Sequence, residues 1–213
     1  MSSVKVKICG LTAPDHVAEA VAAGADYLGF NFFPRSPRFV DYEAGAALMA
    51  AVPQAVQNVA LVVNYSDADF DALLSATQPD ILQLHGSEPP ERVAEVKART
   101  GLPVMKAFGI ATAEDLVQID RYGAVADHLL IDAKPPRGAD RPGGNAVTFD
   151  WSLLAGRPIS KPWLLAGGLV PGNVAEAIEL TGAAQVDVSS GVESAPAVKD
   201  AALMRAFIGA AKG

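Results

Sequence analysis

The sequence predicts an α/β fold, a (β/α)8 TIM barrel of eight parallel strands in a single domain spanning residues 1–213. Three observations carry that prediction. Short aliphatic runs recur with starts on average roughly 26 residues apart, the length of one strand–helix unit. Amphipathic helical patterns lie between them, and a crossover helix between successive strands makes those strands parallel. With 213 residues, 50% of them hydrophobic, the chain can bury one large core, and barrels of this kind begin at about 200 residues.

The strands are expected at Val4–Cys9, Tyr27–Phe32, Val59–Asn64, Ile81–His85, Val104–Ala107, His128–Asp132, Trp163–Ala166 and Val186–Ser189. Thr12 with Asp15, Ser66 with Asp69, and Thr112 with Asp115 have the capping-box spacing, in which side chains satisfy the free N–H groups of a first helical turn. Gly24, Gly101 and Gly182 mark helix ends, where a left-handed residue costs least. A helix near Pro171 follows the seventh strand. The last helix is expected to turn Leu203, Ala206, Phe207 and Ala210 toward the core. Two connections exceed what the pattern needs, Phe33–Val40 and Lys134–Val147. Both follow strand C-termini, where barrels place functional loops. The segment Pro135–Asn145, with glycines at 138, 143 and 144, is a candidate lid. A doubly wound open sheet is the competing architecture, and eight even repeats at this length favour closure.

The net charge of −7 and pI near 4.9 argue against a nucleic-acid partner, which calls for a basic stripe. An anionic small molecule remains open, because backbone amides and a few local cations bind phosphate whatever the global charge. No apolar run approaches the ~18 residues of a membrane span, and the N-terminal stretch does not read as a signal peptide. A single cysteine fits a reducing, cytoplasmic setting.

Alternation along the first strand sends Val4, Val6 and Ile8 toward the helices and Lys5, Lys7 and Cys9 into the barrel, with Cys9 at its top. A lone cysteine is commonly a small buried hydrophobe. Lys7, two residues below on the same face, also makes an activated thiol reasonable, since a nearby ammonium favours thiolate. Asp132 closes an apolar strand, where desolvation raises a carboxyl's pKa and suits it to hold a proton; the alternatives are a loop cap or a pair with Lys134. Gln83 and His85 point inward from the fourth strand, His85 being either a second base or a hydrogen-bonded spacer. Pro34-Arg35-Ser36-Pro37-Arg38 supplies two guanidiniums on a proline-stiffened loop, suited to a carboxylate or phosphate. Gly167 and Gly168 follow the seventh strand, and Ser189, Ser190 and Gly191 follow the eighth. Small residues at these two strand ends let N–H groups approach an anion closely, and a short helix after the eighth strand aims its positive end there. Together they predict a phosphate cradle. The three histidines and Cys9 lack metal-ligand spacing.

On these residues the chain resembles the phosphoribosylanthranilate isomerase family almost end to end. The resemblance rests on Lys7-Ile8-Cys9-Gly10-Leu11-Thr12, Gly29-Phe30-Asn31-Phe32, Ser36-Pro37-Arg38, Gln83-Leu84-His85-Gly86, Leu130-Ile131-Asp132, Phe149-Asp150-Trp151, Ala166-Gly167-Gly168-Leu169 and Asp187-Val188-Ser189-Ser190-Gly191-Val192-Glu193. It implies an Amadori rearrangement in tryptophan biosynthesis, without metal or organic cofactor. Asp132 would be the general acid and Cys9, as thiolate, the base. Arg38 would take the anthranilate carboxylate, Asp187 a sugar hydroxyl, and the Gly167–Gly168 and Ser189–Gly191 backbone the phosphate. The expected partner is a phosphorylated small molecule, with monomer or homodimer left open. The rivals are a histidine-pathway type of sugar-phosphate isomerase, which uses carboxylates in both roles, and a non-catalytic phosphate-binding barrel.

Overall fold

The computed structural model describes residues 4–134 and 149–213. Eight strands close in chain order into a parallel barrel: β1 (Lys5–Cys9), β2 (Tyr27–Asn31), β3 (Gln57–Val62), β4 (Ile81–Leu84), β5 (Val104–Ile110), β6 (His128–Ala133), β7 (Trp163–Leu165) and β8 (Gln185–Val188). Closure is visible at Lys7, which aligns with Tyr27 on one side and Asp187 on the other. The helices are α1 (Pro14–Ala23), α2 (Tyr42–Ala50), α3 (Asp67–Ala76), α4 (Pro90–Thr100), α5 (Val117–Gly123), α6 (Val174–Thr181) and α7 (Ala201–Lys212).

Period-two alternation sorts each strand between two compartments. Tyr27, Val59, Ile81, Met105, Ala107, Leu130, Leu164 and Ala166 form an apolar plug inside the barrel. Val6, Ile8, Leu28, Phe30, Leu82, Leu84, Leu129 and Ile131 point outward into the layer shared with the helices. Toward the C-terminal strand ends the inward positions become polar: Lys7, Gln83, Asp132 and Asp187 are all buried. An apolar floor therefore lies beneath a polar layer, and the site stands on that layer.

The expected strands are all present, with ends shifted by up to three residues. Gly24, Gly101 and Gly182 close α1, α4 and α6 in left-handed conformation, at φ of 92°, 69° and 70°. The Ser66–Asp69 and Thr112–Asp115 capping boxes form. The Thr12–Asp15 box does not. Ala13 is the N-cap of α1, with Pro14 opening the helix, and the Thr12 hydroxyl donates instead to the Ala197 carbonyl at 3.2 Å. In α7 Phe207 is buried and Leu203 and Ala210 are partly buried against the core, as expected, whereas Ala206 is exposed and Met204, Ile208 and Ala211 complete the buried face. Asp200 caps the helix through Leu203 N. The helix after β7 begins at Val174 rather than near Pro171, because Asn173 first closes a turn, its Oδ1 accepting from Val170 N and its Nδ2 donating to Gly168 O. The candidate lid, Pro135–Asn145, lies outside the described residues.

Among the described residues, a hairpin stands outside the eight-fold strand–helix pattern. Between β8 and α7 a small antiparallel hairpin joins β9 (Glu193–Ala195) to β10 (Val198–Lys199), with Lys199 opposite Glu193. Ala197 sits in its turn at φ 66°.

Candidate active site

Cys9 ends β1 facing inward, 6% exposed. Lys7 lies beneath it, fully buried, and donates to Asp187 Oδ1 on β8 at 2.7 Å. Asp187 and Cys9 together keep Lys7 charged despite burial, with its pKa above the ordinary value. The reverse effect is weaker than the sequence suggested. Burial pushes the Cys9 thiol up, and the Lys7 ammonium offsets only part of that because Asp187 opposes it. Asp187, expected to bond a sugar hydroxyl, accepts from Lys7 through Oδ1.

Asp132 faces inward from β6, three strands from β1 round the barrel. Its Oδ1 accepts from Ala133 N at 2.7 Å, and Oδ2 faces His85 Nε2 at 3.6 Å. Lys134 is not its partner, since that ammonium pairs with Asp115. Gln83 Nε2 lies 3.0 Å from His85 Nδ1. With Gln83 donating, Nδ1 is the acceptor and the ring proton resides on Nε2, toward Asp132. Gln83 on β4 and His85 just beyond it thus both stand beside Asp132.

Both candidate catalytic groups pack closely against a glycine. A Cβ at Gly29 would lie 2.9 Å from Cys9 Sγ, and one at Gly167 would lie 3.0 Å from Asp132 Oδ1. Gly167 and Gly168 have φ of 88° and 65°, a conformation that costs side-chain-bearing residues about 1–2 kcal/mol each. Their N–H groups have no acceptor among the described residues. The Ser190–Val192 segment is a 3-10 turn, whose first N–H groups have no partner within the turn. Gly191 packs against the Leu169 carbonyl, where a Cβ would collide. The two loops behind the expected cradle therefore touch, and donors from both lie at the mouth.

Arg38 and Arg35 separate cleanly. Arg35 is exposed, whereas Arg38 is 5% exposed. Ser36 Oγ accepts from Arg38 N at 3.1 Å and from Asn31 Nδ2 at 3.0 Å, tying the loop to β2. The guanidinium binds Glu193 through Nε (2.7 Å) and Nη2 (2.8 Å). A guanidinium has five N–H donors, and the other three, at its Nη1/Nη2 end, have no side-chain partner among the described residues and suit a second carboxylate. Glu193 also accepts from Lys199 at 2.7 Å. Burial alone would raise the Glu193 pKa, but Arg38 and Lys199 outweigh it and hold the carboxyl below its usual range.

Glu193 entered the sequence reading only as a motif member, and Lys199 not at all. A two-residue strand has no periodicity, so Lys199 left no signal. Among the described residues no three His, Cys, Asp or Glu side chains converge as a metal site, and no helix is long and apolar enough to cross a membrane.

A family model described as N-(5'phosphoribosyl)anthranilate (PRA) isomerase matches residues 6–210. An N-(5'-phosphoribosyl)anthranilate isomerase of Paracoccus denitrificans is 62% identical over 206 residues, covering 97% of this chain and 96% of the relative. One from Cereibacter sphaeroides is 55% identical over 212 residues, covering 100% of both. Among solved structures, the phosphoribosyl anthranilate isomerase of Thermotoga maritima superposes with a TM-score of 0.89 at 36% identity, covering 99% of each chain. Another, in complex with reduced 1-(o-carboxyphenylamino)-1-deoxyribulose 5-phosphate, gives 0.86 at 34% identity, again over 99% of each.

Proposed function

The chain belongs to the N-(5′-phosphoribosyl)anthranilate isomerase family of tryptophan biosynthesis, and from that premise we propose how its residues divide the Amadori rearrangement. Asp132 acts as general acid. It protonates the furanose ring oxygen, the C1′–O bond breaks, and the anthranilate nitrogen forms a protonated Schiff base with C1′. Cys9 acts as base and removes the C2′ proton. The electron pair flows into the C1′–C2′ bond and neutralises the nitrogen, giving an enolamine. Tautomerisation to the C2′ ketone yields 1-(2-carboxyphenylamino)-1-deoxyribulose 5-phosphate. Every electron stays in the substrate, so no oxidant or reductant is needed.

One observation carries this reading: a thiol and a carboxylic acid end different strands of one closed barrel, each packed against a glycine whose Cβ would crowd it. The raised thiol pKa is compatible with the order of steps. The iminium that forms on ring opening is a positive charge next to C2′, and a nearby cation draws a thiol toward thiolate. The thiol thus gives up its proton to solvent more readily, so that the thiolate, the form that accepts the C2′ proton, is present at the step that uses it. Arg38 holds the anthranilate carboxylate through its free guanidinium edge. Amides of Gly167, Gly168, Ser190 and Gly191, with Ser189, hold the phosphate. Lys7, paired with Asp187, sets the field under Cys9, and Gln83 and His85 orient Asp132. Residues 1–213 work as one domain in the cytoplasm, on a phosphorylated small molecule.

A fluorescence assay following loss of phosphoribosylanthranilate tests the proposal, run beside the histidine-pathway isomerase substrate. Turnover of the first alone is expected. Turnover of the second at a comparable rate would contradict a site whose strand-1 base is a thiol.

A further inference from the structure

Lys199 is a buried cation to which the mechanism assigns no step. Burying an ammonium costs several kcal/mol unless its donors are satisfied, and these are. Nζ donates to Glu193 Oε1 at 2.7 Å, to the Ser189 carbonyl at 2.9 Å and to Ser189 Oγ at 3.3 Å. Each partner leads to a different part of the site. Glu193 grips Arg38 through two bonds. Ser189 belongs to the phosphate loop, and its Oγ donates to the Cys9 carbonyl at 3.0 Å. One side chain therefore joins the carboxylate-binding arginine, the phosphate loop and the end of the base strand. The tie is braced from the hairpin turn, where Ala197 N donates to Glu193 Oε2 at 3.3 Å.

We propose that Lys199 is a positioning residue that sets the separation between Arg38 and the phosphate loop, so that the site selects a substrate by the span between its carboxylate and its phosphate. This rests on the assignment of those two ends above. The physical basis is effective concentration. A ligand with two anionic ends gains from the second contact only when both receptors stand at the matching distance. Loosening that distance removes the gain while leaving each end's own contact nearly unchanged. Lys199 does not touch the reacting atoms.

The test measures affinity for three ligands: inorganic phosphate, anthranilate, and reduced 1-(o-carboxyphenylamino)-1-deoxyribulose 5-phosphate, which bears both ends. In Lys199→Met, binding of the two-ended ligand should fall on the order of thirtyfold, while each fragment changes less than about threefold. Lys199→Arg, which keeps the charge, should recover most of the loss. A two-ended loss no greater than the product of the two fragment losses overturns the proposal. If Lys199→Met does not fold, Lys199→Gln removes the charge but keeps a buried donor, and wild-type two-ended affinity there is equally fatal. A wild-type protein that binds the two-ended ligand no better than the fragments would instead sink the assignment of the ends.

Discussion

Lys7 Nζ lies 2.7 Å from Asp187 Oδ1, fully buried, on the strand that ends in Cys9. Neutralised by that partner, Lys7 cannot fully counter the burial that raises the thiol. A base works when deprotonated, so a raised pKa moves the rising limb of activity to higher pH. The kcat/KM profile, which reports the free enzyme, should still be climbing at the thiol's ordinary value of 9.0. The kcat profile should level off at lower pH, because the bound iminium pulls the thiol down. Lys7→Met should shift the kcat/KM limb further upward. A kcat/KM flat across neutral pH would remove Cys9 from the role of titrating base.

Cys9→Ala and Asp132→Asn should each lower kcat on the order of a thousandfold, the usual contribution of a positioned acid or base. Both groups stand above the apolar plug, so thermal unfolding should stay within a few degrees of the parent. Either variant retaining near-normal kcat would cancel the role given to that residue.

Arg38→Ala should raise KM for phosphoribosylanthranilate on the order of 10–100-fold, the worth of a hydrogen-bonded charge contact. Part of this loss is indirect, because Glu193 loses one of its two cations. Glu193→Gln separates the parts: it should also raise KM, but by less, since the guanidinium remains. Steady-state kinetics of the two variants decide it. An unchanged KM in Arg38→Ala moves the carboxylate contact elsewhere.

Gly191→Ala places a methyl on the Leu169 carbonyl and should destabilise by about 2 kcal/mol, an overpacking cost. It should also weaken phosphate binding, because the two cradle loops must separate. Chemical denaturation and phosphate titration give the two readouts, and a neutral variant would mean that the loops do not bear on one another.

Ala197→Gly should stabilise by about 0.5–1 kcal/mol. Ala197 occupies φ 66°, where a Cβ is strained, and relief there exceeds the chain entropy that glycine adds. The shift is read from urea unfolding. No gain would show that the hairpin turn already absorbs the strain.

What the sequence determined by itself was local and repeating. Alternation along each strand and the strand-to-strand spacing predicted eight strands, the inward set Lys7, Cys9, Gln83, His85 and Asp132, and the glycines after the seventh and eighth strands. Such signals survive in one dimension because side-chain direction follows from backbone period alone. In α7 the expected stripe included the exposed Ala206 and left out Met204, Ile208 and Ala211, because the helix buries a wider face than its sequence pattern marks. The tertiary structure alone decided which charges meet. Arg38 and Glu193 are 155 residues apart, and Lys7 and Asp187 are 180 apart. Nothing in their spacing pairs them, and only barrel closure does. Folding also set Lys199 against Ser189 and Glu193. A cation's effect on a neighbour depends on its distance and on every other charge nearby, and those distances exist only once the chain has folded.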